Sequence, residues 1–224
     1  MRRRGSRLRL GAIPQDFLVS EWKLEESTGS IFYDSKGTNN GTDTDIPSLS
    51  VAGKVGNGFN WLSTYTSSIV PHSADFILND GTQNLPFSFC FWVYRTAGGS
   101  LIRFVELGSI LFLGIVQNIL RLEYRNNSNA QFAQIASSEG VANDVWTHLA
   151  FTFQPIDATN NTVKLFKNGI EITTTGNPSA QIRNNITPDL SIGGNSFSGP
   201  MDELKYYKKV LTPTEVLGIY NAEK

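Results

Sequence analysis

The stretch FSFCFWVY at 87–94 alternates so that Phe87, Phe89, Phe91 and Val93 fall on one side of an extended chain. WTHLAFTF at 146–153 repeats the arrangement with Leu149, Phe151 and Phe153. Period-two runs recur with turn residues between them, and no long helical period separates one from the next. Parallel neighbours need crossovers, usually helical, so these strands must be mainly antiparallel. A sheet with an apolar face has to bury it, and two packed sheets follow. TVKLFKNGIEIT at 162–173 reads as two strands around Asn168-Gly169, because both central residues of a type I′ turn need positive φ. Further strands are expected near 100–107, 110–116, 119–125, 131–136 and 189–193. The expected fold is all-β, an antiparallel sandwich.

At 224 residues the chain suits one large domain or two small ones, and only 17% of it is charged. No repeat, low-complexity tract or linker interrupts it after about residue 17, so a basic arm over 1–17 and one domain over 18–224 are the expected units. The single cysteine, Cys90, sits inside FSFCFWVY, which rules out an internal disulfide and suggests a small buried apolar group. A formal net charge of −1 conceals an asymmetry. Arg2, Arg3, Arg4, Arg7 and Arg9 give the arm a charge of +5 and leave residues 10–224 at −6. Arginine's planar fork matches carboxylate and phosphate groups, so these five are candidates for anchoring the domain to an acidic partner, most simply another subunit of an assembly. Aromatic residues that would stack on bases are absent from the arm, which argues against nucleic acid. No apolar stretch of signal-peptide length follows the arginines, and no transmembrane segment is expected, since the longest apolar run, ILFLGIV at 110–116, is too short to span a bilayer as a helix.

The stretch SGPMDELKYYKKVLTPTEV at 198–216 sets two acids side by side. Strict alternation puts Met201, Glu203, Lys205 and Tyr207 on one face and Asp202, Leu204 and Tyr206 on the other. On that reading Asp202 shares the apolar face and Glu203 points away, so the two cannot flank one glycosidic bond as a catalytic pair. Thr212-Pro213-Thr214-Glu215 is a capping box that predicts a short terminal helix from Pro213 to about Asn221. An acid among apolar residues needs a partner. The loop DSKGTNNGT at 34–42 is rich in oxygen atoms, and Asp34, Asn39 and Asp202 can supply part of the shell of a Ca²⁺ ion. Alternatively, Asp34 closes an Asx-turn and Asp202 accepts backbone N–H groups.

In order along the chain, EWKLEESTGS, DSKGTNNGT, GKVGNGFNW, FSFCFWVY, WTHLAFTF, KLFKNG, LSIGG and FSGPMDELKYYKKVLTPTEV follow the pattern of laminin G-like domains of the concanavalin A-like lectin/glucanase group. The resemblance covers roughly residues 18–222. It implies a jelly-roll β-sandwich, a structural Ca²⁺ near the 34–42 loop and Asp202, and a role in binding sugars or protein surfaces. Hydrolases of this fold carry Glu-x-Asp-x-Glu on one strand, and no such triplet occurs here; Asp43-x-Asp45 is the nearest spacing, with Pro47 close behind. His148 lies on the 146–153 strand opposite its core residues, where packing or hydrogen bonding is expected rather than catalysis. No enzyme class is supported, and two classes of function remain. One is a non-catalytic module that recognises carbohydrate or a glycosylated surface. Its candidate stacking aromatics are Trp61, Tyr65, Tyr124 and Phe197, although residues of this kind are more often core or rim packing. The other is a structural component of a viral or phage particle, a capsid decoration or fibre protein held by its arginine arm. Either reading places the protein at a virion or cell surface.

Overall fold

The computed structural model describes residues 13–62, 67–98, 101–126, 132–176, 178–184, 186–194 and 196–224. Tyr65 and the five arginines of the arm lie outside the described residues. Two antiparallel sheets pack face to face. Across the first sheet run Ile170–Ile172, Asn161–Lys167, Trp146–Pro155, Phe87–Tyr94, Phe197–Tyr207, Asn57–Trp61 and Ser50–Ala52, with Leu18–Trp22 also paired to the 197–207 strand. The second is ordered Thr174–Gly176, Phe132–Ser137, Ile119–Arg125, Leu111–Val116, Leu101–Leu107, Leu190–Ile192, Ser68–Val70, Gly41–Thr42 and Ile31–Phe32. Strands far apart in sequence lie side by side, as in a jelly roll. Asn168 and Gly169 adopt φ of 52° and 79°, the turn their dipeptide demands. Apart from single turns at Ile46–Leu49 and Ala74–Phe76, the described helix is Pro213–Glu223. Its capping box is formed: Glu215 N donates to Thr212 Oγ1 at 3.2 Å, and Thr212 N donates to Glu215 Oε2 at 2.8 Å. No described helix is long and apolar enough to cross a membrane.

The alternating positions build the core between the sheets. Phe87, Phe89, Phe91 and Val93, with Leu149, Phe151 and Phe153, face Ile102, Phe104, Leu113, Leu122 and Tyr124 of the second sheet. Edge-to-face contacts bridge the gap, with centroids 5.8 Å apart for Phe91 and Phe104 and 5.6 Å for Tyr124 and Phe153. This core also takes three of the candidate sugar-stacking aromatics. Trp61, Tyr124 and Phe197 are at most 1% exposed, so none offers a ring face to a sugar. Each occupies an inward position of its strand. Trp61 packs on Phe59 and Phe197, and the Tyr124 hydroxyl donates to the Ala180 carbonyl at 3.2 Å.

The two sheets differ on their outer sides. FSFCFWVY is apolar on both faces, as a strand covered twice must be. Cys90, Ala150, Phe166 and Tyr207 form a second apolar layer under Leu211, Val216 and Ile219 of the terminal helix and the turn before it. In contrast, ILRLEYR at 119–125 alternates strictly between partly exposed and buried positions, the mark of a strand with one wet face.

A bulge corrects the expected placement of Asp202. Met201 pairs with Val93 and Asp202 with Trp92, but the register then shifts before Lys205 pairs with Cys90, and Glu203 takes φ of 53°. Met201 and Leu204 therefore both point into the core, while Asp202 lies on the outer side with Trp92. Strict alternation fails because one extra residue resets the phase. The separation of the two acids onto opposite faces fails with it, since Glu203 turns toward Lys205, an outer-face residue.

Candidate functional site

A second bulge shapes the open face. Val105 pairs with Leu113 and Arg103 with Gly114, which leaves Phe104 opposite no partner, and both Phe104 and Val105 are buried. Arg103 and Glu106, three residues apart, consequently both point outward. Register then lays out two rows across the sheet. One contains Ser191, Glu106, Phe112, Glu123 and Gln134; its neighbour contains Arg103, Gly114, Arg121 and Ala136. At about 4.8 Å per strand the five-residue row spans roughly 19 Å.

The rows interlock electrostatically. Arg103 Nη1 donates to both carboxylate oxygens of Glu106 at 2.8 Å, and its guanidinium carbon lies 5.7 Å from the centre of the Phe112 ring. Arg121 Nη1 reaches Glu123 at 3.4 Å and Gln134 Oε1 at 3.2 Å, while Arg121 Nε is buried without a hydrogen-bond partner among the described residues. Between the two arginines Gly114 makes room for the Phe112 ring. A Cβ there would sit 2.0 Å from the Ile102 carbonyl oxygen and 2.7 Å from Phe112, so no side chain fits. Beside Phe112, toward the turn at 108–110, lies a groove of about 260 Å³ lined by Leu101, Arg103, Glu106, Phe112, Glu123 and Arg125, with Arg121 in the row next to it. That volume is small for a pocket that engulfs a ligand and suits a chain lying along the surface. Alternation alone would have put Arg103 and Glu106 on opposite faces, which is why the sequence did not reveal the groove.

The calcium candidates are held apart by their bonding. Asp34 Oδ1 accepts from the backbone N–H groups of Glu21, Lys36 and Gly37 at 2.9 to 3.0 Å, and Oδ2 accepts from Asn39 N at 3.1 Å. Asn39 Nδ2 donates to Ser20 and Asp75. Asp202 shares none of these partners; its Oδ2 accepts from Val55 N at 2.8 Å, in the turn between Ala52 and Asn57. Its Oδ1 is buried with no hydrogen-bond partner among the described residues. Burial foremost, with Glu203 nearby and against the pull of the Val55 N–H, pushes the Asp202 carboxyl up to about 7. Asp202 Oδ1 thus has bonding capacity left for a cation, whose other oxygens would have to come largely from backbone carbonyls. The described residues contain no group of three or more His, Cys, Asp or Glu arranged to hold a metal.

Beneath the terminal helix the outer face of the first sheet is closed. Lys205, fully buried, forms ion pairs with Glu223 at 2.7 Å, Glu203 at 2.5 Å and Glu21 at 3.3 Å. Burial opposes its charge, and Glu223 and Glu203 outweigh that and hold the ammonium above the usual lysine range. His148 packs edge-on to Trp92 at 5.3 Å, and burial, then Lys205, lowers it to about 3. It is a neutral packing group, without a hydrogen-bond partner for either ring nitrogen among the described residues.

A family model confirms what the fold suggests: the concanavalin A-like lectin/glucanases superfamily matches residues 64–217. The chain belongs to this superfamily. No curated protein matches it. Among solved structures, the binding domain of Paraclostridial Mosquitocidal Protein 1 aligns with a TM-score of 0.72 at 16% identity, over 93% of this chain and 52% of that one. The chain thus spans about half of that binding domain. Domain 4 of AbnA, a GH43 extracellular arabinanase from Geobacillus stearothermophilus solved with arabinotriose, gives 0.62 at 18% identity over 91% and 98%. Trypanosoma rangeli sialidase in complex with the inhibitor DANA gives 0.65 at 14% identity over 93% and 33%. Identities this low establish the shared jelly roll and nothing finer.

Proposed function

We propose that the domain is a non-catalytic module that holds carbohydrate, or a glycosylated surface, on the open face of the second sheet. The observation that carries this reading is the double row of Arg, Glu and Gln side chains around Phe112, positioned by register and a bulge. Rigid, planar polar groups are what hydroxyl recognition needs. The arabinanase neighbour adds support, because that domain, of similar extent, was solved with an oligosaccharide. On a glycan array the full chain is expected to bind. Arg103→Ala combined with Arg121→Ala should lose at least about tenfold in affinity while melting within a few degrees of wild type. Unchanged binding by the double variant would remove this face from the function, and release of reducing sugar from a bound polysaccharide would overturn the non-catalytic reading.

A second reading, an attachment role in a larger assembly such as a virion, is favoured by the five arginines within nine residues. The chain lacking residues 1–12 is expected to keep its melting temperature and glycan binding but to lose salt-labile attachment to carboxylate-coated beads. Equal attachment by both chains would leave the arm without this role.

A further inference from the structure

Resting on the glycan-binding reading, the geometry points to a neutral polyhydroxyl chain, not an acidic one, as the ligand of the open face. The two central guanidinium groups are already compensated within the face, Arg103 by Glu106 and Arg121 by Glu123. Such pairs present donors and acceptors side by side. A sugar hydroxyl both donates and accepts, so a vicinal diol can give a proton to the carboxylate and take one from the guanidinium without displacing either. An acidic sugar meets Glu106 and Glu123 as like charges; Arg125, the third guanidinium at the groove, has an interaction of its own, and residues 10–224 carry a net −6 that repels an acidic ligand further. Stacking contributes little, because Phe112 is 8% exposed and lies under Arg103. Recognition therefore falls to hydroxyl hydrogen bonds, and the carboxylates are as necessary as the arginines.

The test is affinity electrophoresis of the full chain in gels containing neutral polysaccharides (arabinan, xylan, mannan, β-glucan) or acidic ones (polygalacturonate, polysialic acid, heparin), at low and high salt. Retention is expected in at least one neutral gel, changing less than about twofold between 50 and 500 mM NaCl, because no charge is neutralised on binding. Glu106→Gln and Glu123→Gln should each weaken it about tenfold, since each loses a charged acceptor while keeping its shape. Thermal melting of both variants, and Gln154→Ala on the first sheet as a control, separate this loss from unfolding. Retention confined to acidic gels, falling with salt and undiminished by either Gln variant, would overturn the neutral ligand and leave glycan binding standing. Absence of retention in every gel would overturn both.

Discussion

Replacing Lys205 by methionine is expected to cost the domain roughly 3–5 kcal/mol, among the largest losses any single substitution can cause here. The methionine fills the space but leaves Glu21, Glu203 and Glu223 around it with no cation. Lys205 is 0% exposed and the side chains of Glu203 and Glu223 are 7% and 5% exposed, so solvent screens little of this repulsion. Burial already raises Glu223 above the usual carboxylate range even with Lys205 beside it and Trp92 Nε1 donating at 2.8 Å. Without the lysine these acids must take up protons, and the terminal helix that carries Glu223 loses its hold on the sheet. Urea unfolding at pH 7 measures the effect. Adding Glu203→Gln and Glu223→Gln to Lys205→Met should restore a large part of the loss, because the unpaired charge, not the missing contact, causes it. A Lys205→Met variant within about 1 kcal/mol of wild type would show that water reaches the cluster.

The second large effect lies at Asp202. Its carboxyl ionises near 3.8 in the unfolded chain and is held up to about 7 in the folded one. Between those values the folded protein keeps a proton that the unfolded chain has released, so the Asp202 contribution to stability falls as pH rises from about 4 to about 7 and levels off above, while His148, lowered from 6.5 to about 3, contributes the opposite slope below pH 6.5. Three pH units correspond to a loss on the order of 4 kcal/mol at most. We propose that Ca²⁺ at the free Oδ1 reverses the trend, since a cation favours the ionised carboxylate and binds only the folded state. The difference in stability between wild type and Asp202→Asn, read from melting curves at pH 4 to 8 in chelator, should show the decline, and saturating Ca²⁺ should remove it and raise the wild-type melting temperature at pH 7. Asp202→Asn should lack this component, keep the opposite slope of His148 below pH 6.5, and be unresponsive to Ca²⁺. A Ca²⁺ response surviving in Asp202→Asn would move the ion elsewhere, and a pH-independent difference between the two proteins in chelator would mean that Asp202 is ionised throughout.

How much of this was legible varies by element. FSFCFWVY and WTHLAFTF announced their inward faces because large apolar residues at alternate positions can be satisfied in one way only. The Asn168-Gly169 turn and the Thr212 capping box were readable for a local reason: their bonds and φ values are set by residues within a few positions of one another. Asp34 belongs with these, its Asx-turn to Lys36 and Gly37 being one of the two readings open at the outset. The family likeness added the jelly-roll order of strands, which no local pattern contains.

What the chain could not declare locally arises from register. Trp61, Tyr124 and Phe197 were candidates for sugar stacking with core packing the commoner role, and their inward positions became definite only once neighbouring strands were aligned. Asp202 changed faces, and Arg103 joined Glu106, because one unpaired residue in each strand shifts the alternation by a full step. A bulge is a property of two strands together. Its residue is extra only relative to a partner strand, about ten positions away for Phe104 and about a hundred for Glu203, so both look like any other strand residues when read alone. By itself the sequence determined that the chain would fold as a two-layer antiparallel sandwich closed by a capped helix, because burial of alternating apolar residues and short-range capping bonds act locally. Tertiary structure decided which face stays open and which charges meet on it, because those depend on pairing between distant strands and on where the terminal helix comes to rest.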